Sequence, residues 1–326
     1  MTHSPQLVPG KRTAPVALLI ETDIFSDVDD VGALAVAHAF ADDGLAVIAG
    51  VCVNTPSRWG HQAVRVVNSY YGRPEIPVGA LLPLDDSVAD RDYAKTLATM
   101  FLSGDQLEPP ASAVSTLRTV LDEAEDGSIV LVSLGFFGNL TALLASGPDG
   151  ISPELGTDLV RRKVKRTVVM GGRFPSGWEF NLGRFPSESA SFLESWPGEI
   201  EFLGWEVGSD VVTGASLSPA ADPANPAALA YATFNGPGVG RASWDLMTVA
   251  LAVCGVGDDY EYSPRGRVVV RDDGQTEWTV DPEGSHRYVT RVAPIETIQR
   301  ALDHYLDRIP TSRRVSSRAL GEEISS

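Results

Sequence analysis

The chain has 326 residues, of which 43% are hydrophobic and 21% are charged, a balance typical of a globular protein with a large core. Its 26 Lys and Arg residues against 43 Asp and Glu residues give a net charge of −17. A negative field of this size repels phosphate backbones and anionic lipids, which argues against nucleic-acid polymers and membranes as partners. It accommodates a metal ion and a neutral or cationic small molecule.

Cysteine content and the start of the chain bear on the cellular compartment. Cys52 and Cys254 lie in apolar surroundings and are too few for a disulfide framework, which predicts buried, reduced thiols. The apolar run at 14–20 is too short for a membrane span or a convincing signal sequence. We therefore expect a cytoplasmic protein.

Short apolar runs alternate with helical patterns along most of the chain. The runs are nearly continuous in apolar residues, as in strands that are buried on both faces of a parallel sheet. The alternation predicts an α/β fold with a mostly parallel central sheet flanked by helices. The predicted strands cover 16–20, 45–53, 76–80, 128–134, 166–170 and 200–203, and the predicted helices begin at 30 and cover 63–71, 93–102, 113–125 and 139–145.

The pattern changes after residue 257. Two β-type runs, 267–270 and 277–280, flank Asp272-Asp273-Gly274, an arrangement that predicts a hairpin with a tight glycine turn. Apolar residues at helical spacing predict a final helix over 294–308.

Domain boundaries follow from the polar ends of the chain. Residues 1–13 and 310–326 are polar and carry no periodic pattern, so we expect loose tails there. The remaining segment, 14–309, is predicted to form one α/β domain with the hairpin as an appendage.

Ligands of such sheets bind beyond the carboxyl ends of the strands, so the loops after Ile20, Val53, Leu134 and Met170 should face one crevice. The loop 21–30 carries five carboxylates in ten residues, whereas capping the following helix needs only one or two acids. Two like charges about 4 Å apart cost on the order of 4 kcal/mol at an effective dielectric near 20. The spacing therefore favours a bound Ca²⁺ or Mg²⁺, and the alternative is a capped, solvated loop.

Five segments resemble, in order, signature segments of the nucleoside hydrolases, the inosine–uridine-preferring family of N-ribohydrolases. The family elements are its aspartate signature, a Gly-Asn-Thr segment, a Gly-Pro-Leu-Thr-Asn-Leu turn, Met-Gly-Gly with Glu-Phe-Asn, and a late aspartate. The matching segments are 23–30 (Asp-Ile-Phe-Ser-Asp-Val-Asp-Asp), 53–55 (Val-Asn-Thr), 135–140 (Gly-Phe-Phe-Gly-Asn-Leu), 169–172 (Val-Met-Gly-Gly) with 179–181 (Glu-Phe-Asn), and 244–245 (Trp-Asp).

The resemblance implies an open, Rossmann-like sheet and hydrolysis of the N-glycosidic bond of a ribonucleoside or related N-riboside. It implies a Ca²⁺ ion held by Asp23, Asp30, the backbone carbonyl of Leu134 and Asp245. Asp23 would also be the general base that takes a proton from the attacking water. The family further implies a homodimer or a homotetramer.

The resemblance also implies a set of ribose contacts. The loop 23–30 is two residues longer than the shortest form of the signature, so either Asp27 or Asp29 could meet the ribose, and Asp29 is favoured. The other implied contacts are Asn54, Met170, Glu179 and Asn181.

Several positions depart from the family pattern. Glu21 stands where the family usually has Asp, and Phe25 replaces a customary Gly, which predicts a reshaped turn. The Asn that usually contacts the 5′-hydroxyl has no counterpart between Met170 and Glu179.

Trp244 stands where some members have a His that protonates the leaving group. Purine-preferring members have a Trp there that stacks on the base, an interaction of about 1–3 kcal/mol, so the resemblance favours a purine leaving group. The alternative is a core aromatic residue at a helix start. His286, after the hairpin, is a candidate substitute acid.

Two other functions fit parts of the pattern. A haloacid-dehalogenase-like phosphatase also has an acidic loop after its first strand and uses Mg²⁺, but Glu21 would have to be its nucleophile and is one carbon too long. A non-catalytic riboside-binding relative would keep the fold and the metal. The missing 5′-hydroxyl Asn and leaving-group His keep that second alternative open.

Overall fold

The structure is a computed structural model that describes residues 14–25, 27–85, 93–103 and 109–313. The predicted tail 1–13, and residues 314–326 of the predicted tail 310–326, lie outside the described residues.

Strands and helices alternate through the first two thirds of the chain, as predicted. The strands are β1 (Val16–Thr22), β2 (Ala46–Val53), β3 (Val78–Ala80), β4 (Ala111–Ser112), β5 (Ile129–Ser133), β6 (Val164–Met170), β7 (Ser176–Trp178), β8 (Ile200–Leu203), β9 (Val212–Thr213), β10 (Arg241–Ala242), β11 (Tyr260–Tyr262), β12 (Gly266–Val270), β13 (Gln275–Val280) and β14 (His286–Arg291). The helices are α1 (Asp29–Asp42), α2 (Gly60–Tyr70), α3 (Tyr93–Phe101), α4 (Ala113–Glu123), α5 (Gly138–Ala145), α6 (Gly156–Lys163), α7 (Phe180–Gly183), α8 (Pro186–Ser195), α9 (Trp205–Gly208), α10 (Pro226–Asn235), α11 (Trp244–Cys254) and α12 (Ile295–Leu306).

Twelve strands of the described chain form one sheet, in the order β4-β3-β2-β1-β5-β6-β8-β14-β12-β13-β7, and β11 pairs with β14. Every pair from β4 to β14 is parallel. The pairs that involve β11, β12, β13 and β7 are antiparallel. The predicted mostly parallel sheet is confirmed.

Helices cover both faces of this sheet. Leu18 and Ile20 of β1 belong to a hydrophobic core with residues of α1 and α11, whereas Leu19 of β1 and Leu131 of β5 belong to a second core with residues of α4. Because side chains alternate along a strand, a strand buried on both faces needs an uninterrupted apolar run. This requirement explains the apolar runs that predicted the strands.

The C-terminal hairpin is confirmed as β12 and β13, but its description as an appendage is wrong. β14 inserts beside β8, pairs with it in parallel and also pairs with β12, so the hairpin continues the central sheet. The burial of β14 alternates irregularly, and its sequence His-Arg-Tyr-Val-Thr-Arg has no apolar run that would have predicted a strand.

Helices α6, α8 and α10 were also not predicted. α6 has three basic residues in its last turn, and only the inward side chains of α8 are apolar, so neither carries a long apolar stripe. No helix in the described part of the chain has both the length and the apolar character needed to cross a membrane.

The strands that carry the predicted site end together. Thr22 of β1 pairs with Val53 of β2, Glu21 pairs with Ser133 of β5, and Ser133 pairs with Val169 of β6. The residues that follow these strands therefore emerge side by side at the carboxyl edge of the sheet.

Candidate active site

Three buried aspartates lie together at this edge. Asp23 follows β1, Asp30 is in the first turn of α1, and Asp245 is in the first turn of α11. One carboxylate oxygen of each lies within 4.8 Å of those of the other two, and none of the three residues is more than 4% exposed. The fold thus brings the late aspartate of the sequence to the acidic loop.

The cluster is electrostatically strained without a counter-charge. Burial, together with repulsion from neighbouring carboxylates, raises the pKa of Asp30 and of Asp245 well above the ordinary aspartate value. The hydroxyl of Thr22 donates a hydrogen bond to Oδ1 of Asp30, but the buried Oδ2 has no hydrogen-bond partner among the described residues. Buried, unpaired carboxylate oxygens are costly unless a cation offsets them, and oxygen donors suit a hard divalent ion.

The carbonyl of Leu134, directly after β5, faces the same site. Its oxygen accepts a hydrogen bond from Nδ2 of Asn181 at 2.9 Å, and the same amide nitrogen lies 3.2 Å from the carbonyl oxygen of Met170. Asn181 therefore ties the ends of β5 and β6 together. A carbonyl oxygen has two lone pairs, so that of Leu134 keeps one for a cation.

Asp27 and Asp29, the two candidates for the ribose contact, have different hydrogen-bond partners. Oδ2 of Asp29 accepts a hydrogen bond from the backbone N–H of Asp245, and Oδ1 has no hydrogen-bond partner among the described residues. Asp27 instead forms a two-point ion pair with Arg241, in which Nε lies 2.8 Å from Oδ1 and Nη2 bonds Oδ2. Both carboxylate oxygens of Asp27 are thus occupied, whereas Oδ1 of Asp29 is not bonded by any described residue.

Glu179 caps the short helix α7. Its carboxylate accepts hydrogen bonds from the backbone N–H groups of Gly172 at 2.8 Å, Asn181 at 2.7 Å and Leu182 at 3.1 Å. Burial raises the pKa of this carboxyl. Glu179 lines the cleft above the aspartates and holds the loop after β6 against α7.

Asn54 lies behind Asp23. A Cβ atom on Gly135 would lie 2.6 Å from Cβ of Asp23 and 2.7 Å from Oδ1 of Asn54, so only glycine fits between them. Oδ1 of Asn54 also accepts a hydrogen bond from the N–H of Phe136 at 3.2 Å. Asn54 lines a neighbouring cavity of about 360 Å³, which meets the aspartate cleft at Phe180.

The cleft above the aspartates has a volume of about 320 Å³ and an aromatic wall formed by Phe180, Trp205 and Trp244. Nε1 of Trp244 donates a hydrogen bond to the carbonyl of Trp205 at 2.7 Å, which fixes the two tryptophans relative to each other. The sequence predicted Trp244 at the site but not Trp205 or Arg241. Trp205 lies two residues after Leu203, the last residue of β8, so the rule on carboxyl-end loops could have found it.

Several solved structures are similar to this chain over most of its length. A plant nucleoside hydrolase matches with a TM-score of 0.68, covers 90% of this chain and 99% of its own, and is 18% identical. The inosine-uridine preferring nucleoside hydrolase from Bacillus anthracis has a TM-score of 0.64, with 88% and 99% covered and 18% identity. The purine-preferring ribonucleoside hydrolase from Gardnerella vaginalis has a TM-score of 0.64, with 89% and 99% covered and 16% identity.

The chain has the nucleoside hydrolase fold. No protein-family model matches the sequence, and no curated protein matches it significantly. The nucleoside hydrolase fold is therefore recognised here from three-dimensional similarity and from the order of the signature segments.

Within this nucleoside hydrolase fold, Glu21 supports the site from below. Its side chain is fully buried, and Oε2 accepts hydrogen bonds from Nδ2 of Asn54 at 3.3 Å and of Asn139 at 3.0 Å. Burial raises the pKa of Glu21 to about 8. A side chain in this position has no access to the cleft, which rules out the phosphatase interpretation with Glu21 as nucleophile.

Phe25, which replaces a customary Gly, has an unusual backbone conformation. Its φ is +156°, a conformation that glycine adopts more readily than other residues, and its N–H donates to the hydroxyl of Tyr93 at 2.9 Å.

The proposal of His286 as a substitute acid is wrong. His286 pairs with Ile200 at the amino end of β8, accepts a hydrogen bond from the N–H of Val268, and has its pKa lowered to about 4 by burial.

Proposed function

We propose that this protein hydrolyses the N-glycosidic bond of a ribonucleoside or related N-riboside, with a bound Ca²⁺, to give free base and ribose. The observation that carries the proposal is the convergence of Asp23, Asp30 and Asp245 within 4.8 Å of one another at the carboxyl edge of a nucleoside hydrolase fold. The named neighbours are nucleoside hydrolases, and the proposal extends their activity to this chain.

The residues present fit a divalent cation. Asp23, Asp30, Asp245 and the carbonyl of Leu134 would hold it, and all of their donor atoms are oxygens. Oδ2 of Asp30, which is buried and has no hydrogen-bond partner in the described part of the chain, has the character of a ligand atom. Ca²⁺ commonly combines carboxylates with backbone carbonyls, which supports it over Mg²⁺. When bound, the ion would lower the pKa of a water and bind the ribose diol.

The proposed chemistry assigns each side chain a task. Asp23 is the general base that takes a proton from the water attacking the anomeric carbon. Breaking the N-glycosidic bond leaves a sugar with oxocarbenium character, whose positive charge the surrounding carboxylates stabilise. Oδ1 of Asp29, which no described residue bonds, supports a hydrogen bond to a ribose hydroxyl. Asn181 bonds the carbonyls that follow β5 and end β6, and Glu179 holds the loop after β6 against α7. Both contacts help these groups to hold their positions.

A purine leaving group is supported by the aromatic wall. Trp205 and Trp244 both line the cleft and offer flat π-faces, on which a two-ring base gains more stacking area than a one-ring base. We therefore propose purine ribosides as preferred substrates.

The function is tested with calcium-loaded protein and a panel of purine and pyrimidine ribonucleosides, read by liquid chromatography. We expect the wild type to release base and ribose, and Asp23→Asn to lose this activity. Asp272→Asn changes an exposed residue of the hairpin turn that does not line the cleft; it is the control and should retain the activity. If the wild type binds ribosides at saturating Ca²⁺ but releases no base, the non-catalytic alternative replaces this proposal.

A further inference from the structure

A guanidinium group lies in the wall of the acidic cleft, and the chemistry proposed above leaves it without a task. Arg241 forms the short strand β10 with Ala242, just before α11. Among the described residues that line the cleft, it is the one with a basic side chain, whereas Asp23, Asp27, Asp29, Glu179 and Asp245 are acidic.

Arg241 is held firmly in place. Its Nε and Nη2 bond the two carboxylate oxygens of Asp27, and its guanidinium carbon lies 5.3 Å from the ring centroid of Trp244 and 5.7 Å from that of Phe234. The backbone of Asp27 is also fixed, because its main-chain carbonyl oxygen accepts a hydrogen bond from the hydroxyl of Tyr93.

One nitrogen of this guanidinium remains available. Nη1 has no hydrogen-bond partner among the described residues, and the side chain of Arg241 is 33% exposed. The ion pair with Asp27 therefore orients the group and still leaves a charged donor on a residue that lines the cleft, beside the tryptophan proposed to stack on the base.

Departure of the base places negative charge on the base, and a donor such as Nη1 of Arg241 can stabilise that charge. When the bond between the anomeric carbon and the base nitrogen breaks, its electron pair goes to the base. The negative charge that develops there is unfavourable in a cleft lined by carboxylates. No histidine in the described part of the chain lines this cleft, so none of these residues offers an imidazolium that could protonate the departing base.

On the basis of the N-riboside hydrolysis proposed above, we propose that Arg241 stabilises the leaving base by donating a hydrogen bond from Nη1 to an acceptor atom of its ring system. Arginine keeps its proton in proteins, so this is electrostatic stabilisation and not proton transfer. The attacking water forms the new bond to the anomeric carbon and gives its proton to Asp23, and the departed base takes a proton from solvent. Asp27 is a positioning residue that fixes the plane of the guanidinium.

The test compares two ribosides that differ in how much help their leaving groups need. 4-Nitrophenyl β-D-ribofuranoside releases a stable phenolate, whereas inosine releases a base that is a poor anion. We expect Arg241→Gln to lower kcat for inosine by roughly 100-fold or more, the size expected for loss of a transition-state donor, and to change nitrophenyl riboside hydrolysis by less than about fivefold. Asp27→Asn should shift the same ratio in the same direction by a smaller factor.

A matched control is available at the C-terminal end of α1, where Asp43 lies. Arg308 also forms a two-point ion pair, with Asp43, and lies 5.9 Å from the ring centroid of Tyr305, but it does not line the cleft. Arg308→Gln should leave both activities unchanged. Arg241→Lys keeps the charge without the two-point geometry and provides a second variant should Arg241→Gln fail to fold.

The outcomes separate this inference from the proposed function. A wild type that hydrolyses neither riboside overturns the proposed function. A wild type that hydrolyses both, with Arg241→Gln either unaffected or reduced equally on both, overturns the role of Arg241 in leaving-group stabilisation. A selective loss on inosine supports it.

Discussion

The carboxylate of Asp29 accepts a hydrogen bond from the backbone N–H of Asp245 at 3.2 Å. This bond joins the first turn of α1 to the first turn of α11, and each of these turns contributes an aspartate to the buried cluster. The N-terminal ends of both helices, where partial positive charge accumulates, therefore meet at the cluster. The arrangement lowers the cost of gathering carboxylates before any cation arrives.

The cluster predicts the consequences of removing single ligands. Asp30→Asn and Asp245→Asn should each weaken Ca²⁺ binding by roughly 100-fold or more, because loss of a direct ligand should exceed the 10–100-fold effect of losing an outer-shell partner. Isothermal titration calorimetry measures the change. Asp272→Asn should bind Ca²⁺ as the wild type does, and unchanged affinity in Asp30→Asn would contradict the assignment.

Glu21 predicts how stability depends on pH. Its folded pKa of about 8 lies above the ordinary value of 4.5, so the folded state binds this proton more tightly than the unfolded state does. The resulting stabilisation is complete below pH 4.5 and is lost as pH rises through 8.

Glu21→Gln removes this titration and keeps an acceptor for the amides of Asn54 and Asn139. Its melting temperature, measured between pH 5 and pH 9 in the presence of chelator, should fall less steeply than that of the wild type. Parallel curves for the two proteins would show that Glu21 does not titrate in this range.

The close packing around Gly135 leads to a prediction about Asp23, the proposed general base. In Gly135→Ala the new methyl group would meet Asp23 and Asn54 at 2.6–2.7 Å, so one of them must move, and a displacement of about 1 Å can cost on the order of 100-fold in rate. We expect a fall in kcat with little change in the far-ultraviolet circular dichroism. Gly147→Ala is the control, since a Cβ there meets nothing within 4 Å.

Trp244 predicts substrate preference. Trp244→Ala should raise KM for purine ribosides by roughly 5–150-fold, which corresponds to the loss of about 1–3 kcal/mol of stacking, and should affect pyrimidine ribosides less. Steady-state kinetics on inosine and uridine give the ratio. Equal effects on the two substrates would point to the alternative in which Trp244 only packs at the helix start.

The sequence could predict those parts of the molecule that depend on residues adjacent along the chain. The apolar runs of β1, β2, β5 and β6 gave a parallel sheet, and the rule that ligands bind at carboxyl ends then grouped Asp23, Leu134 and Met170. Asp245 was predicted through resemblance, because its distance along the chain from Asp30 hides their contact.

The features that escaped prediction depend on tertiary contacts without a local signature. Arg241 is an ordinary arginine in sequence, and only its two-point pairing with Asp27, 214 positions away along the chain, gives it a place in the cleft. β14 forms a strand although its residues show neither an apolar run nor a regular polar–apolar alternation, since neighbouring β8 and β12 supply its hydrogen bonds. In the sequence Glu21 resembles a member of the acidic cluster, but its position in β1 directs its side chain into the core, where it is fully buried.

One strand pairing has a consequence for how the protein is made. β7 leads directly into Glu179, and its pairing partner in the described sheet is β13, which follows all three aspartates of the buried cluster along the chain. The wall of the cleft that contains Glu179, Phe180 and Asn181 is therefore supported by a strand that is synthesised after those aspartates. A nascent chain that ends before β13 contains every aspartate of the cluster but lacks the strand that supports the wall beside them.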